Sequence, residues 1–450
     1  MTALWLETAL LPPGWANDVR IEMSGGLISS VSPDTPPQPG DKRAAIALPG
    51  LSNVHSHAFQ RGMAGLAEHR GPGDDDFWSW REVMYRFLDR LTPDDVEAIC
   101  AMAYVEMLET GYTRVGEFHY LHNDVSGARY GDPAEMAGRV VAAAEATGIG
   151  LTLLPVFYAH SDFGGAAPKP GQRRFLSDLD GFADLLDASE RLLLADGILG
   201  IAPHSLRAVT GEELAALVAM RSDGPIHIHA AEQVKEVEAS LAFSGARPVE
   251  WLLAHAGVDR RWCLIHATHL TEGETDGLAA SGAVAGLCPV TEANLGDGIF
   301  PAVRYLDAGG RIATGTDSNI LIDPAQELRA LEYSQRLSRR ARNLLASERQ
   351  PSVGRRLFDA ALAGGAQALG AKQGLATGMA ADIVTLDPDH PALHGRQDDL
   401  LLDSWIFAGG ANCIDTVWRK GSKIVSGGIH KDRESVRQRY RTVLDGILAA

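Results

Sequence analysis

A (β/α)8 barrel, carrying a small β-sandwich domain built from both chain ends, is the architecture this sequence predicts. Three observations lead there. Short apolar segments alternate with longer amphipathic ones; polar residues collect where the apolar segments end; and residues 1–49 and 376–450 break the alternation. Eight strands, each followed by helical material, are the pattern of a closed parallel barrel. A doubly wound open sheet is the rival, but it is not expected to gather polar residues at so many strand ends around one centre.

The strand segments are 51–57, 114–120, 151–158, 198–204, 225–231, 262–268, 283–289 and 311–317. Helical patterns between them include Asp94 to Thr110, Ala134 to Thr147 and Gly211 to Met220. Together these place the barrel domain at 50–375. The 1–49 piece has strand-like runs and a Pro-rich turn, Ser32-Pro33-Asp34-Thr35-Pro36-Pro37. The 376–450 piece supplies Ala381-Asp382-Ile383-Val384-Thr385-Leu386-Asp387 and Asp415-Thr416-Val417-Trp418-Arg419-Lys420-Gly421, which read as strands and turns of the same small domain. The insertion at 58–93 and the Gly-rich run 164–171, just after the third strand, are the candidates for lid motion over the active face.

Composition narrows the class. The 450 residues are 45% apolar and 22% charged, ordinary for a soluble globular chain. A formal charge of −17 excludes nucleic acid and anionic membrane surfaces as natural partners, since both need clustered Lys and Arg. An anionic ligand would need local arginines against that overall field. Cys100, Cys263, Cys288 and Cys413 are far apart and form no CxxC pair, so they read as packing thiols in a reducing compartment. The N-terminus lacks a basic region followed by an apolar stretch and cleavage site, and no window approaches 18 continuous apolar residues. The expectation is a cytoplasmic protein.

The chemistry sits at strand ends. In Leu51-Ser52-Asn53-Val54-His55-Ser56-His57, alternate side chains of an extended strand share a face, so His55 and His57 can address one ion. The fifth strand ends His227-Ile228-His229-Ala230-Ala231-Glu232, the sixth in His266, and the eighth in Thr316-Asp317-Ser318. C-terminal strand ends are where barrel enzymes keep their active sites. Three imidazoles and a carboxylate, with one position left for water, make a catalytic zinc site, although iron or manganese accept the same set. Taken singly, His266 has a plainer reading as a hydrogen-bonded core residue and Asp317 as a helix cap. His227 reads as the structural member of its pair. The ordered set HxH, HxxE, His, Asp at four strand ends is what resists the plain readings.

That set resembles the deaminase-like branch of the amidohydrolase superfamily. The Gly374-Leu375-Ala376-Thr377-Gly378-Met379-Ala380-Ala381-Asp382 stretch of the outer β domain extends the likeness over nearly the whole chain. Within the superfamily the longer motifs are similar to those of the N-formimino-L-glutamate deiminases of histidine degradation. They are His55-Ser56-His57-Ala58-Phe59-Gln60-Arg61, Phe77-Trp78-Ser79-Trp80-Arg81-Glu82, Glu117-Phe118-His119-Tyr120, His204-Ser205-Leu206-Arg207-Ala208-Val209 and Thr291-Glu292-Ala293-Asn294-Leu295-Gly296-Asp297-Gly298.

The resemblance implies one zinc held by His55, His57, His229 and Asp317, and a hydroxide nucleophile drawn from bound water. It implies Glu232 as proton shuttle, His266 as partner of the attacking hydroxide or stabiliser of the tetrahedral intermediate, and Asp317 as a second proton carrier. Gln60, Arg81, Tyr120, His204 and Arg207 become the contacts of a small dicarboxylate substrate, the two guanidinium groups suiting carboxylates through paired hydrogen bonds. It also suggests a homodimer. Two other functions compete: a zinc deaminase of a purine, pyrimidine or triazine ring, whose pocket would favour stacking over two arginines, and a non-catalytic scaffold, which would be expected to lack ligands or Glu232. Arg81 on a surface helix and Tyr120 as a core tyrosine are the plainer readings of those two residues.

Overall fold

The computed structural model describes residues 2–70 and 76–449; residues 71–75 of the 58–93 insertion, and Ala450, lie outside the described residues. The apolar segments form parallel strands Leu51–Ser56, Tyr112–His119, Gly150–Phe157, Ile226–Ala230, Trp262–His266, Val284–Leu287 and Arg311–Thr314. The fourth segment is split into Ile198–Leu199 and Ala202–Pro203, with Ile201 bridging across to Ile226. Proline has no amide hydrogen to give a ladder, and this strand is the one that carries it at its end. A parallel bridge from Ser56 to Asp317 joins the eighth strand back to the first and closes the barrel. Closure demands a small residue there. A Cβ on Gly315 would fall 2.7 Å from the His55 backbone nitrogen and 2.8 Å from its carbonyl oxygen.

Local sequence starts the outer helices. Thr92, Thr210 and Thr271 each accept a hydrogen bond from the backbone N–H three residues on, while Asp95, Glu213 and Glu274 reach back to the threonine N–H. This reciprocal cap satisfies two helix-end donors at once. It opens Pro93–Glu109, Gly211–Met220 and Glu272–Ser281. Inside the barrel, Val54, Ile265, Val284 and Ala313 pack with Cys263 and Cys288 over Ala368 and Leu369, which plug its floor. All four cysteines are free and buried, as small apolar packing residues should be.

The chain ends pair into one eight-stranded sheet. Its spatial order is Ile429–His430, Ser422–Ser426, Ile414–Arg419, Ile383–Leu386, Lys42–Pro49, Thr2–Leu11, Gly14–Ser24, Leu27–Ser32. Period-two alternation decides which face goes where. Ile46 and Leu48 join the core shared with the barrel, whereas Ala47 between them joins a second cluster with Leu4, Val19, Ile21, Ile383 and Trp418. The sheet rolls over that second cluster until Leu27 bridges Ala380. The C-terminal segment also supplies a long helix, Arg433–Ala449, which lies on the barrel: Arg439 pairs with Glu97 at 2.6 Å and Arg90 donates to the Ile447 carbonyl at 2.8 Å. Among the described residues, no helix is long and apolar enough to cross a membrane.

Candidate active site

The first strand stays extended to Ser56, and its side chains alternate as the HxH spacing requires. The backbone carbonyl of Phe118 accepts from His57 Nδ1 at 2.9 Å, and that of His204 accepts from His229 Nδ1 at 3.0 Å. With those protons spent outward, both Nε2 lone pairs point inward. There they meet other acceptors. His55 Nε2 is 3.1 Å from His229 Nε2, and Asp317 Oδ1 is 3.3 Å from His57 Nε2 and 3.6 Å from His55 Nε2.

One proton on His55 would satisfy one of these contacts, leaving the bare His57 nitrogen against the Asp317 carboxylate. A divalent ion satisfies all of them. Donors held 2.0–2.1 Å from a tetrahedral ion lie roughly 3.3 Å apart, close to the three separations of 3.1, 3.3 and 3.6 Å. Burial, with the neighbouring imidazoles, holds His55 and His229 well below the ordinary imidazole range. Neutral imidazole is the form that binds metal. The donor set therefore fits a metal ion. The sequence-predicted ligands His55, His57 and His229 offer donor atoms within 4.8 Å of one another; Asp317 forms a second such group with His266 and Cys288, and meets the first through His57 and His55.

Four residues at the strand ends adopt left-handed backbone: Ala231 (φ +53°), His266 (φ +67°), Ala267 (φ +47°) and Asp317 (φ +44°). Such angles are costly for residues with a Cβ and persist where surrounding structure imposes them. They redirect the chain as each strand ends. Glu232 follows Ala231, and its loop is fixed by Glu236, whose carboxylate accepts the N–H groups of both residues at 3.2 and 3.1 Å. Glu232 Oε1 stands 3.7 Å from His266 Nε2, which is also 3.7 Å from Asp317 Oδ2. Burial pushes Glu232 up to about 7, against the pull of His266. A carboxyl poised there can both take and give a proton at neutral pH. Burial would lower His266, but Glu232, Glu292 and Asp317 outweigh it and hold the imidazole up to about 10. His227 faces away from this centre, with Nε2 bonded to the Ala368 carbonyl at 2.8 Å.

Above the cluster opens a small cavity of about 60 Å³. Gln60, Arg81, Tyr120, His204 and Arg207 all line it, as do His57, His229, Glu232, His266 and Asp317. Gln60 donates to the Tyr120 hydroxyl at 2.7 Å, and that hydroxyl donates to Met84 Sδ at 3.3 Å. His204 Nδ1 lies 3.2 Å from Ser205 Oγ. The Cζ atoms of Arg81 and Arg207 lie 4.3 and 5.6 Å from the centre of the same Trp78 ring. Each keeps a buried Nε with no hydrogen-bond partner among the described residues. Among the described residues neither guanidinium is in direct contact with an acid, Glu236, Glu232 and Asp162 acting on Arg207 from further off, so both can receive an anion.

Reading the sequence missed several residues of this site. Glu292 accepts from His266 Nδ1 at 3.1 Å and from the Cys288 N–H at 2.8 Å, so it orients the imidazole. It lay inside the 291–298 motif without a role. Tyr158, Tyr85 and Phe175 line the cavity wall. Tyr158 closes the third strand segment, so the strand-end signal that found the others was present there too. Tyr85 and Phe175 come from an inserted helix and a loop, where no periodicity marks a cavity-facing position.

Comparison with known proteins places this geometry. The profile described as Amidohydrolase family matches residues 46–424, and one described as Formimidoylglutamate deiminase HutF, N-terminal domain, matches residues 1–45. The chain is 49% identical over 452 residues, the whole of both chains, to the formimidoylglutamate deiminase of Pseudomonas aeruginosa. A crystal structure of an amidohydrolase from Brucella melitensis superposes with TM-score 0.96 at 52% identity, covering 100% of each chain. An adenosine deaminase from Xanthomonas campestris, solved with bound zinc, superposes at TM-score 0.83 and 22% identity over 100% of this chain and 99% of its own, a likeness of fold.

Proposed function

The chain belongs to the amidohydrolase family, and we propose that within it this protein is the hydrolase that converts N-formimino-L-glutamate to N-formyl-L-glutamate and ammonia, a step of histidine degradation. The observation that carries this reading is the pair Arg81 and Arg207, both near Trp78 and each with a buried Nε unpartnered among the described residues, in the cavity that holds Glu232. A dianion matches two such cations. A ring-amine substrate offers them nothing, and leaving buried charge unpaired is costly. Identity of 49% to a protein of that name supports the same substrate.

We assign His55, His57, His229 and Asp317 to hold one zinc ion. When bound, zinc supplies Lewis acidity, bringing the pKa of a water from about 16 to about 7. The protein's own groups do the rest. Arg207 and Arg81 fix the two carboxylates, with Gln60, Tyr120 and His204 completing the pocket, so that the formimino carbon faces Glu232. Glu232 takes a proton from the attacking water and delivers it to the departing nitrogen. His266, cationic and held by Glu292, stabilises charge that develops on the attacking oxygen. Asp317 passes on the second proton, and ammonia leaves. The assembly we assign is a homodimer, which sedimentation checks.

Ammonia release across amidine, guanidine and ring-amine substrates tests the reading, run beside metal analysis of the purified protein. Turnover of N-formimino-L-glutamate far above the others, with about one metal per chain, is the expected result. Preference for a ring amine overturns the substrate; a metal-free protein inert after zinc addition overturns the chemistry.

A further inference from the structure

Tyr158 ends the third barrel strand as a cavity-lining side chain, 4% exposed, directly beside His204, whose ring centre is 4.7 Å away. Its hydroxyl has one fixed partner. Gln172, fully buried, donates from Nε2 to Tyr158 Oη at 2.7 Å. The direction of that bond is settled by the other end of the amide, because Gln172 Oε1 accepts the obligatory backbone N–H of Lys169 at 2.7 Å. The amide oxygen is thus committed to Lys169, and the amide nitrogen must face the tyrosine. Tyr158 receives a hydrogen bond and still has its own proton to give. Among the described residues nothing accepts it, and the open direction is the cavity shared with Arg81 and Arg207.

We propose that Tyr158 is a further specificity-determining contact, its hydroxyl donating to one carboxylate of the substrate, held in that orientation by Gln172. The assignment rests on the dicarboxylate reading above and adds a neutral donor to its two cations. Burial raises the phenol above its usual range, so it keeps the proton it is to donate. The arrangement also gives the 164–171 run a structural purpose. Its last residue, Gly171, passes so close to Tyr85 that a Cβ would lie 2.6 Å from the ring, and the turn Pro170–Gln172 that contains it carries the positioning amide. The loop end is therefore packed against the cavity wall and sets the donor within it.

The test compares the wild type with Tyr158→Phe, both zinc-loaded, on N-formimino-L-glutamate and on two analogues, each lacking one carboxylate. Glutarate binding by calorimetry is measured in parallel. A hydrogen bond to a charged acceptor corresponds to about 10–100-fold in affinity. The expected result is a KM raised by about that factor with kcat changed little, glutarate weakened similarly, and the penalty gone for the analogue missing the carboxylate Tyr158 touches. Unchanged KM and glutarate affinity overturn the proposal, and so does an equal penalty on all three substrates, which a purely structural role would produce. If the wild type binds glutarate but releases no ammonia, the deiminase reading fails, and the Tyr158 contact is still decided by the glutarate ratio. If the wild type binds no dicarboxylate, both fail together.

Discussion

The floor and the wall of the cavity are built on opposite principles. On the floor nearly every group has an outward partner: Phe118 and His204 carbonyls take the spare protons of His57 and His229, Glu292 holds His266, and Glu236 caps the Glu232 loop. What is left unsatisfied there is the inward ring of nitrogen and oxygen atoms, a demand for one cation. On the wall, Arg81 and Arg207 lie near one indole, each with a buried Nε that has no partner among the described residues. That is a demand for anions. The inward-facing donors sit on strand ends, while the two arginines come from an inserted helix, Phe77–Leu88, and from the loop after the fourth strand.

The comparison can be broken most sharply on the floor. His229→Ala should lower metal affinity by well over the ~10–100-fold typical of losing an outer hydrogen-bond partner, and turnover should vanish with the metal. Plasma emission analysis of metal content beside the ammonia assay reads it; full metal occupancy would remove His229 from the ligand set. Next comes Glu232→Gln, expected to cut kcat by about 10²–10⁴-fold while the metal stays bound. A variant that also lost metal would make Glu232 a ligand rather than a proton carrier.

The wall should behave differently, changing KM before kcat. Arg207→Ala is expected to raise KM for N-formimino-L-glutamate by roughly 10–100-fold with metal content near one per chain, and Arg81→Ala by less, because Arg81 is only half-buried while Arg207 is buried. Equal loss of kcat in these variants would erase the division between floor and wall. The smallest effect belongs at the rim. Lys235 meets Asp76 at 2.9 Å, both well exposed, so Lys235→Ala should cost under about 1 kcal/mol in stability by denaturant unfolding and leave KM unchanged. A larger shift in KM would move the wall outward to include this pair.

How far the molecule was legible depended on where each residue sits. Short apolar runs between amphipathic stretches located all eight barrel strands to within a few residues, because a parallel strand buried on both faces is apolar along its length. The same logic found His55, His57, His229, His266 and Asp317, whose strand-end positions mark them as cavity-facing. Tyr85 and Phe175 could not be found this way. They reach the cavity only because an inserted helix and a loop happen to fold over it.

Local spacing and side-chain chemistry alone specified the alternation, the helix caps and the identity of the groups proposed to meet a cation and a dianion. Only the folded barrel decided that residues from position 55 to position 317 share one centre, and that His266 and Asp317 turn through left-handed backbone to reach it. It alone decided which protons remain unspent. Hydrogen bonds between distant segments, such as Gln172 to Tyr158 and His266 to Glu292, set donor direction, and no local pattern encodes a partner that far away.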